Sequence, residues 1–378
     1  MSEKKIRVLI VDDSALMRKL ISNIVKKDPE IEVADTAING LFALKKIKQL
    51  EVDIILLDIE MPDMNGLEFL KMRRDLGIDI PVVMLSSLGA KRPEVTIEAL
   101  DLGAKDFIIK PSGSISMDIE KVSQEIIAAI KKYGGEKYRT PLDKARIDAQ
   151  LEKLIEDKVK KTDISPTLPR PKVMQSYTTL GVKPESLERK LKTVRLILIG
   201  ISTGGPAALR QLFSKITNKK FPILVVQHMP PGFTREFAKG LNRISSLEVK
   251  EAADNDLIQP GWAYIAPGDH HLSVQQKGFE FRARITETPP VNGHRPSVEV
   301  LYESVADQNI SSLGVIMTGM GKDGAKSLNR LHEMGYPTVA QSPKDCVVFG
   351  MPRVAIEMGG VDKVLEIDDI ADFINSIG

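Results

Sequence analysis

Short apolar runs that stop abruptly at a polar residue recur along this chain, and they limit its folding more than any other feature. Ile54-Ile55-Leu56-Leu57 stops at Asp58, and Leu196-Ile197-Leu198-Ile199 stops at Gly200-Ile201-Ser202-Thr203-Gly204. Unbroken runs of this kind read as strands buried on both faces, the condition of parallel sheets covered by helices. Open α/β sheets hold their ligands outside the carboxyl ends of such strands. Asp58 and Ser202 therefore stand where chemistry is expected.

Residues 6–132 alternate short apolar runs with helix-period segments. Val8-Leu9-Ile10-Val11 precedes a helix carrying Leu16, Leu20 and Ile24, and further runs follow at 54–57, 82–85 and 107–109. That alternation predicts a flavodoxin-like (βα)5 sheet closing near Gly134-Gly135, so residues 1–132 form one α/β domain. Residues 133–190 are more polar. Ile147, Leu151, Leu154 and Val159 keep helical spacing, and Pro166, Pro169 and Pro171 then prevent further helix. A helix followed by an extended tether is expected there, either as a solvated spacer or as an element that orients the domains. Residues 191–378 read as a second, doubly wound and mostly parallel α/β domain, with strands near 196–201, 223–226, 263–266, 272–274, 279–285 and 313–317. Only Gly-containing turns such as Lys277-Gly278 interrupt residues 262–285, which predicts an antiparallel hairpin beside the parallel sheet.

Composition narrows the function classes. A chain of 378 residues, 42% apolar, exceeds what one core usually organises. Its 53 basic and 51 acidic residues nearly cancel, and residues 191–378 carry 20 of each, so no basic face points to nucleic acid. One cysteine, Cys346, permits no internal disulfide. The N-terminus runs into a strand without a signal-peptide core, and no run approaches the ~18 apolar residues of a membrane span. A cytoplasmic protein that is not inserted in the membrane is expected.

In the first domain Asp12 and Asp13 follow the first strand, Asp58 ends the third, Ser86 the fourth, and Lys110-Pro111 the fifth. A parallel sheet gathers all these ends on one edge. Three carboxylates together call for a hard divalent cation, and Mg2+ suits one or two carboxylates plus water. With part of that charge neutralised, Asp58 can attack phosphorus as a nucleophile, while Lys110 pairs with the new phosphoryl oxygens and Ser86 hydrogen-bonds them. Helix capping would explain Asp12 or Asp13 alone, but not five residues so placed.

Val11-Asp12-Asp13-Ser14, Asp58-Ile59-Glu60-Met61-Pro62, Ser86-Ser87 and Lys110-Pro111 resemble the receiver domain of two-component response regulators over residues 4–132. The resemblance implies Asp58 as phosphoacceptor, Asp12 and Asp13 as Mg2+ ligands, and the backbone carbonyl of Glu60 as a further ligand. Phe107 holds the position of the switch aromatic, often Tyr in that family. Phe has no hydroxyl, so its side chain supplies no hydrogen bond to a switching step.

In the second domain Gly200-Ile201-Ser202-Thr203-Gly204 fits G-x-S-x-G, a strand-to-helix turn that presents a serine hydroxyl. Pro206 suits the first helical turn that follows. A glycine-rich turn at a helix N-terminus could equally hold a phosphate. The next run, Ile223-Leu224-Val225-Val226, ends at Gln227-His228, where a dinucleotide fold usually offers Asp or Glu to the ribose. His228 instead suits a base for Ser202. A third run, 313–317, leads into Thr318-Gly319-Met320-Gly321-Lys322-Asp323-Gly324, a formal G-x-G-x-x-G. Its Lys-Asp pair is unusual for a pyrophosphate cradle, and Asp rather than Ser or Thr after Lys322 excludes a P-loop. Asp323 suits a residue that holds the imidazole in one tautomer, though it could also cap a helix. Backbone amides at Thr203 and Met320 could donate to an oxyanion.

These motifs, with Ala266-Pro267-Gly268-Asp269-His270-His271 and His294-Arg295-Pro296-Ser297, resemble the chemotaxis protein-glutamate methylesterase family over residues 196–378. Ile201 departs from the Ala common there, beside the nucleophile but with no reactive atom lost. The resemblance implies hydrolysis of glutamate methyl esters on chemoreceptors, deamidation of particular receptor glutamines, and no metal in the hydrolytic site. It further implies a chemotaxis histidine kinase as phosphodonor, methylated chemoreceptors as substrates, recruitment to receptor clusters, and a receiver that shields the Ser202 edge until it is phosphorylated. His270, His271 and His294 have no partner acid or cysteine at zinc spacing, and His294-Arg295 could line a substrate groove. Two rivals stand beside this: a response regulator whose output domain only binds protein, and a nucleotide-binding second domain.

Overall fold

The computed structural model describes residues 5–87, 93–110, 116–134, 147 and 184–378, and these divide into two compact units. Of the tether, Ile147 is helical and buried. Leu151, Leu154, Val159, Pro166, Pro169 and Pro171 lie outside the described residues, as does Pro111.

The N-terminal unit is a five-stranded parallel sheet of β1 (Ile6–Val11), β2 (Ile31–Ala37), β3 (Ile54–Asp58), β4 (Val82–Ser87) and β5 (Asp106–Lys110) in the order β2-β1-β3-β4-β5. Helices Ala15–Val25, Gly40–Gln49, Gly66–Asp75, Pro93–Asp101 and Ser116–Gly134 make the crossovers and the C-terminal element. Every residue of β3 is buried, as strands covered on both faces require. Local chemistry sets the helix starts: Ser14 and Asn39 accept backbone N–H groups at their N-caps, and Asn65 with Glu68 closes a capping box. The strand order reverses between β1 and β3, so the ends carrying Asp12 and Asp58 flank the crevice at the switch point.

The C-terminal unit carries a seven-stranded sheet and a three-stranded one. The larger holds β6 (Leu196–Ile201), β7 (Ile223–Gln227), β8 (Glu248–Glu251), β10 (Trp262–Ile265), β13 (Ser312–Ile316), β14 (Thr338–Gln341) and β15 (Lys363–Leu365), in the order β15-β14-β13-β6-β7-β10-β8. All its pairings are parallel. The smaller is antiparallel and consists of β9 (Leu257–Ile258), β11 (His271–Lys277) and β12 (Glu280–Thr286) in the order β11-β12-β9. The predicted hairpin is thus a layer of its own, whereas β10, at the start of the same sequence segment, joins the parallel sheet. Phe279, expected as the first residue of the hairpin's second strand, sits in the turn and is 97% exposed.

Apolar side chains of both layers meet the helix Val298–Ala306 in one core that includes Leu198, Leu272, Val274, Leu301 and Tyr302. Gln308 Nε2 donates to the Val274 carbonyl and Val274 N–H to Ser304 Oγ, which ties the hairpin to that helix end. Here too the strand order reverses, between β6 and β13. Ser202 follows β6, His228 follows β7 and Asp323 lies in the loop after β13, all at the carboxyl edge beside the switch point. No helix among the described residues is long and apolar enough to cross a membrane.

Candidate active site

Ser202 leaves β6 through a turn that its neighbours make possible. Gly204 takes φ +80° at the N-cap of the helix Gly205–Phe213, a backbone state that L side chains resist. The Ser202 N–H donates to the Thr318 carbonyl at 2.9 Å, and Thr318 Oγ1 donates to the Thr203 carbonyl, also at 2.9 Å. These bonds fasten the serine turn to the loop after β13. Gly319 permits the approach: a Cβ there would lie 2.8 Å from Ser202 Cβ and 2.4 Å from Met351 Sδ. Ile201 is fully buried, and its carbonyl accepts the His228 N–H at 3.3 Å.

Three distant stretches meet here. His228 Nδ1 lies 3.0 Å from Ser202 Oγ and His228 Nε2 lies 3.0 Å from Asp323 Oδ2. Gln227 secures the histidine's backbone, its Nε2 donating to the carbonyls of Ser202 and His228 at 3.1 and 3.2 Å. Since an ionised carboxylate only accepts, the neutral ring carries its proton on Nε2 and turns the Nδ1 lone pair to the hydroxyl. That is the arrangement of a base poised to deprotonate the serine.

Asp323 is 1% exposed and accepts more than the histidine. Its Oδ1 receives Asn292 Nδ2 at 2.9 Å and Ser297 Oγ at 2.8 Å, and its Oδ2 receives the Val298 N–H at 2.6 Å. Burial works to raise its pKa, but the hydrogen bond and charge of His228, with the bonds from Asn292 and Ser297, outweigh it and hold the carboxyl down at about 2. Asp323 does cap a helix, though not its own. Gly324 caps the helix Ala325–Glu333, whereas the Asp323 carboxylate sits on the first amides of Val298–Ala306, where the helix dipole favours a negative charge.

Thr203 and Met320, whose amides were expected to serve an oxyanion, lie in the loops after β6 and β13. Ser202 and Gly319 N–H are committed to Thr318 and Val348 carbonyls, while no hydrogen bond among the described residues uses the N–H of Thr203 or Met320.

On the N-terminal unit, Asp12, Asp13 and Asp58 each bring an oxygen within 4.8 Å of the others. Lys110 Nζ reaches Asp12 Oδ2 and Asp58 Oδ1 at 2.7 Å each. Burial, partly offset by Lys110, pushes the Asp58 carboxyl up to about 6, and the Asp12 charge adds to the rise. Ser86 Oγ is buried with no hydrogen-bond partner among the described residues, and Glu60 is exposed in the bend after β3. An oxygen-only donor set beside an unsatisfied buried hydroxyl fits a hard cation and an incoming phosphoryl group.

Residues 197–374 match the CheB methylesterase family and residues 8–119 the response regulator receiver domain. A protein-glutamate methylesterase/protein-glutamine glutaminase of Treponema denticola is 46% identical over 375 residues, 99% of this chain and 98% of that protein. The chain belongs to the CheB methylesterase family. A namesake from Salmonella typhi is 42% identical over 368 residues, 97% of this chain and 95% of that one. The crystal structure of the Thermotoga maritima CheB methylesterase catalytic domain is 38% identical, covering 49% of this chain and 99% of that one with TM-score 0.48.

Sequence reasoning did not assign Asn292 and Ser297, which hold Asp323 in this CheB-family site. His294, expected to line a substrate groove, has its ring stacked on His228 at 3.8 Å between centroids and 6° between planes. Asn292-Gly293 was a readable turn signal, but nothing in its spacing told which carboxylate it would meet. His271 is a core residue, its Nε2 3.1 Å from the Pro289 carbonyl and its Nδ1 accepting the Ser297 N–H at 3.2 Å, so both partners fix one neutral tautomer. His270 pairs with Glu287, and Arg295 with Asp269.

Proposed function

We propose that the chain is a phosphorylation-activated chemotaxis methylesterase that hydrolyses glutamate methyl esters on chemoreceptors and deamidates receptor glutamines. The observation that carries it is the unbroken Ser202–His228–Asp323 relay at 3.0 Å per step. His228 Nδ1 takes the Ser202 proton as Oγ bonds to the ester carbonyl carbon. The resulting oxyanion is met by the amides of Thr203 and Met320, and Asp323 stabilises the imidazolium. The same proton passes to the methoxide oxygen as the C–O bond breaks, and methanol leaves. Water then attacks the acyl-serine, with His228 again taking a proton, and releases the receptor glutamate and the free serine. With a glutamine substrate the leaving group is ammonia.

Regulation enters through residues 1–132, the receiver domain, joined by residues 133–190 to a catalytic domain of residues 191–378. Asp58 accepts the phosphoryl group from a chemotaxis histidine kinase, Lys110 and Ser86 hold its oxygens, and Asp12, Asp13, Asp58 and the Glu60 carbonyl would hold Mg2+. When bound there, Mg2+ would supply positive charge against the negative charge gathering on the phosphoryl oxygens. In this reading the protein works in the cytoplasm, recruited to receptor clusters by its substrates. The rival of a non-catalytic output domain is disfavoured by a complete and correctly hydrogen-bonded relay.

The test is methanol release from methylated receptor membranes by wild type, Ser202→Ala and Asp58→Ala, with and without a phosphodonor. Ser202→Ala should be inactive, and only wild type should respond to the donor. Undiminished release by Ser202→Ala would remove the serine mechanism, and indifference of wild type to the donor would remove the regulatory one.

A further inference from the structure

One short turn touches two members of the relay. Residues 291–294 form a two-residue reversal closed in both directions, with Val291 N–H on the His294 carbonyl at 3.1 Å and His294 N–H on the Val291 carbonyl at 3.0 Å. Asn292 and Gly293 take φ +53° and +79°, the left-handed pair that Asn-Gly adopts most readily. From that rigid base Asn292 Nδ2 donates to Asp323 Oδ1 at 2.9 Å, and the His294 ring lies flat on His228 at 3.8 Å. The turn's exit is anchored as well, since Arg295 donates to the carbonyls of Glu287 and Thr288.

We propose that the 291–294 turn is a positioning element of the hydrolytic relay, with Asn292 fixing the Asp323 carboxylate and His294 fixing the plane of the His228 ring. The inference rests on the serine-hydrolase reading of the site. The bonds at His228 Nδ1 and Nε2 both lie in the ring plane and restrain its edges, but they leave it free to tilt about the line joining them. A flat partner on the ring face removes that freedom. On the other side, the Asn292 amide joins Ser297 Oγ on Oδ1 and so restrains rotation of the carboxylate, which keeps Oδ2, shared with the Val298 N–H, toward His228. Neither side chain takes or gives a proton in the reaction, and both act through residues that do.

The experiment is steady-state methanol release from methylated receptor membranes by the full chain with a phosphodonor, comparing wild type, Ser202→Ala, Asn292→Gly, His294→Ala and His294→Phe. Glycine at 292 keeps the left-handed backbone while removing the amide, so the turn survives, and thermal melting of each variant confirms the fold. Asn292→Gly should lower kcat about tenfold, the value of one charge-assisted hydrogen bond, and leave KM unchanged. His294→Ala should lower kcat about three- to tenfold through the lost stack, and His294→Phe, which restores a flat face, should recover most of it. Wild-type kcat in Asn292→Gly and His294→Ala, a change confined to KM, or a His294→Phe variant as slow as His294→Ala would overturn the proposal while wild type remains serine-dependent. A wild type whose release does not depend on Ser202 would overturn the hydrolase reading and this inference with it.

Discussion

His228 offers Nδ1 to Ser202 Oγ and Nε2 to Asp323 Oδ2, each at 3.0 Å, so the carboxylate selects the tautomer by accepting from Nε2. Asp323→Asn would put an amide in that place. Its NH2 group, turned to Nε2, would favour the tautomer protonated at Nδ1, which has no lone pair for the serine. Methanol release by Asp323→Asn is expected to fall by about 10⁴-fold, the scale on which a wrong tautomer acts in serine hydrolases. A loss below tenfold would show that Asp323 does not choose the tautomer.

Gly319 gives a steric prediction. Its place between Ser202 Cβ and Met351 Sδ leaves no room for a methyl group, so Gly319→Ala must displace the serine turn, the Met351 side chain or both. Overpacking of this kind costs roughly 1–3 kcal/mol of stability. Activity should suffer more than stability, because a shift of about 1 Å in a nucleophile costs on the order of 10²-fold in rate. Denaturant unfolding and methanol release on the same variant separate the two effects, and equal activity of Gly319→Ala and wild type would refute the close approach.

The acidic cluster makes a prediction about Mg2+. Lys110 balances Asp12 and Asp58 by direct contact at 2.7 Å, and a cation held by the same carboxylates stabilises the folded state by mass action. Millimolar Mg2+ should raise the melting temperature of wild type, and Asp12→Asn should lose most of that rise. Lys110→Ala leaves two buried carboxylates without their counter-charge, a loss that typically costs about 3–5 kcal/mol. Its melting temperature should therefore drop without Mg2+ and recover in part with it. Differential scanning calorimetry with and without a chelator reads all three, and a Lys110→Ala variant as stable as wild type in chelator would contradict the pairing.

What the sequence made legible was whatever follows from strand ends. Parallel strands buried on both faces stop where their apolar run stops, so Asp12, Asp58, Ser86, Lys110, Ser202 and His228 could be placed on sheet edges from their neighbours alone. Asp323 was found the same way, one loop beyond β13, but the helix it caps was not. That capping depends on how the helix Val298–Ala306 docks, and docking is settled by packing of residues such as Val298 and Tyr302 beneath β6 and β13. The hairpin layer was legible as a hairpin but not as a separate sheet, because alternation within β11 and β12 fixes which face is buried and says nothing about which strand lies at the edge. Asn292 and His294 sit in a turn whose shape was readable and whose neighbours were not.

The depressed Asp323 carboxyl carries a pH signature. Its folded value of about 2 lies below the ordinary aspartate value of about 3.9, so the folded protein binds this proton less tightly than the unfolded chain does. The stabilisation is then fully present above about pH 4 and is lost as pH falls from there through about 2. Asp323→Asn has no charge to gain or lose at this position. The gap in melting temperature between wild type and Asp323→Asn should therefore shrink below pH 4 as the wild-type carboxylate takes up its proton. Thermal melts of the two proteins across this range test it, and a gap that fails to shrink below pH 4 would mean that His228, Asn292, Ser297 and the Val298 N–H do not hold Asp323 ionised.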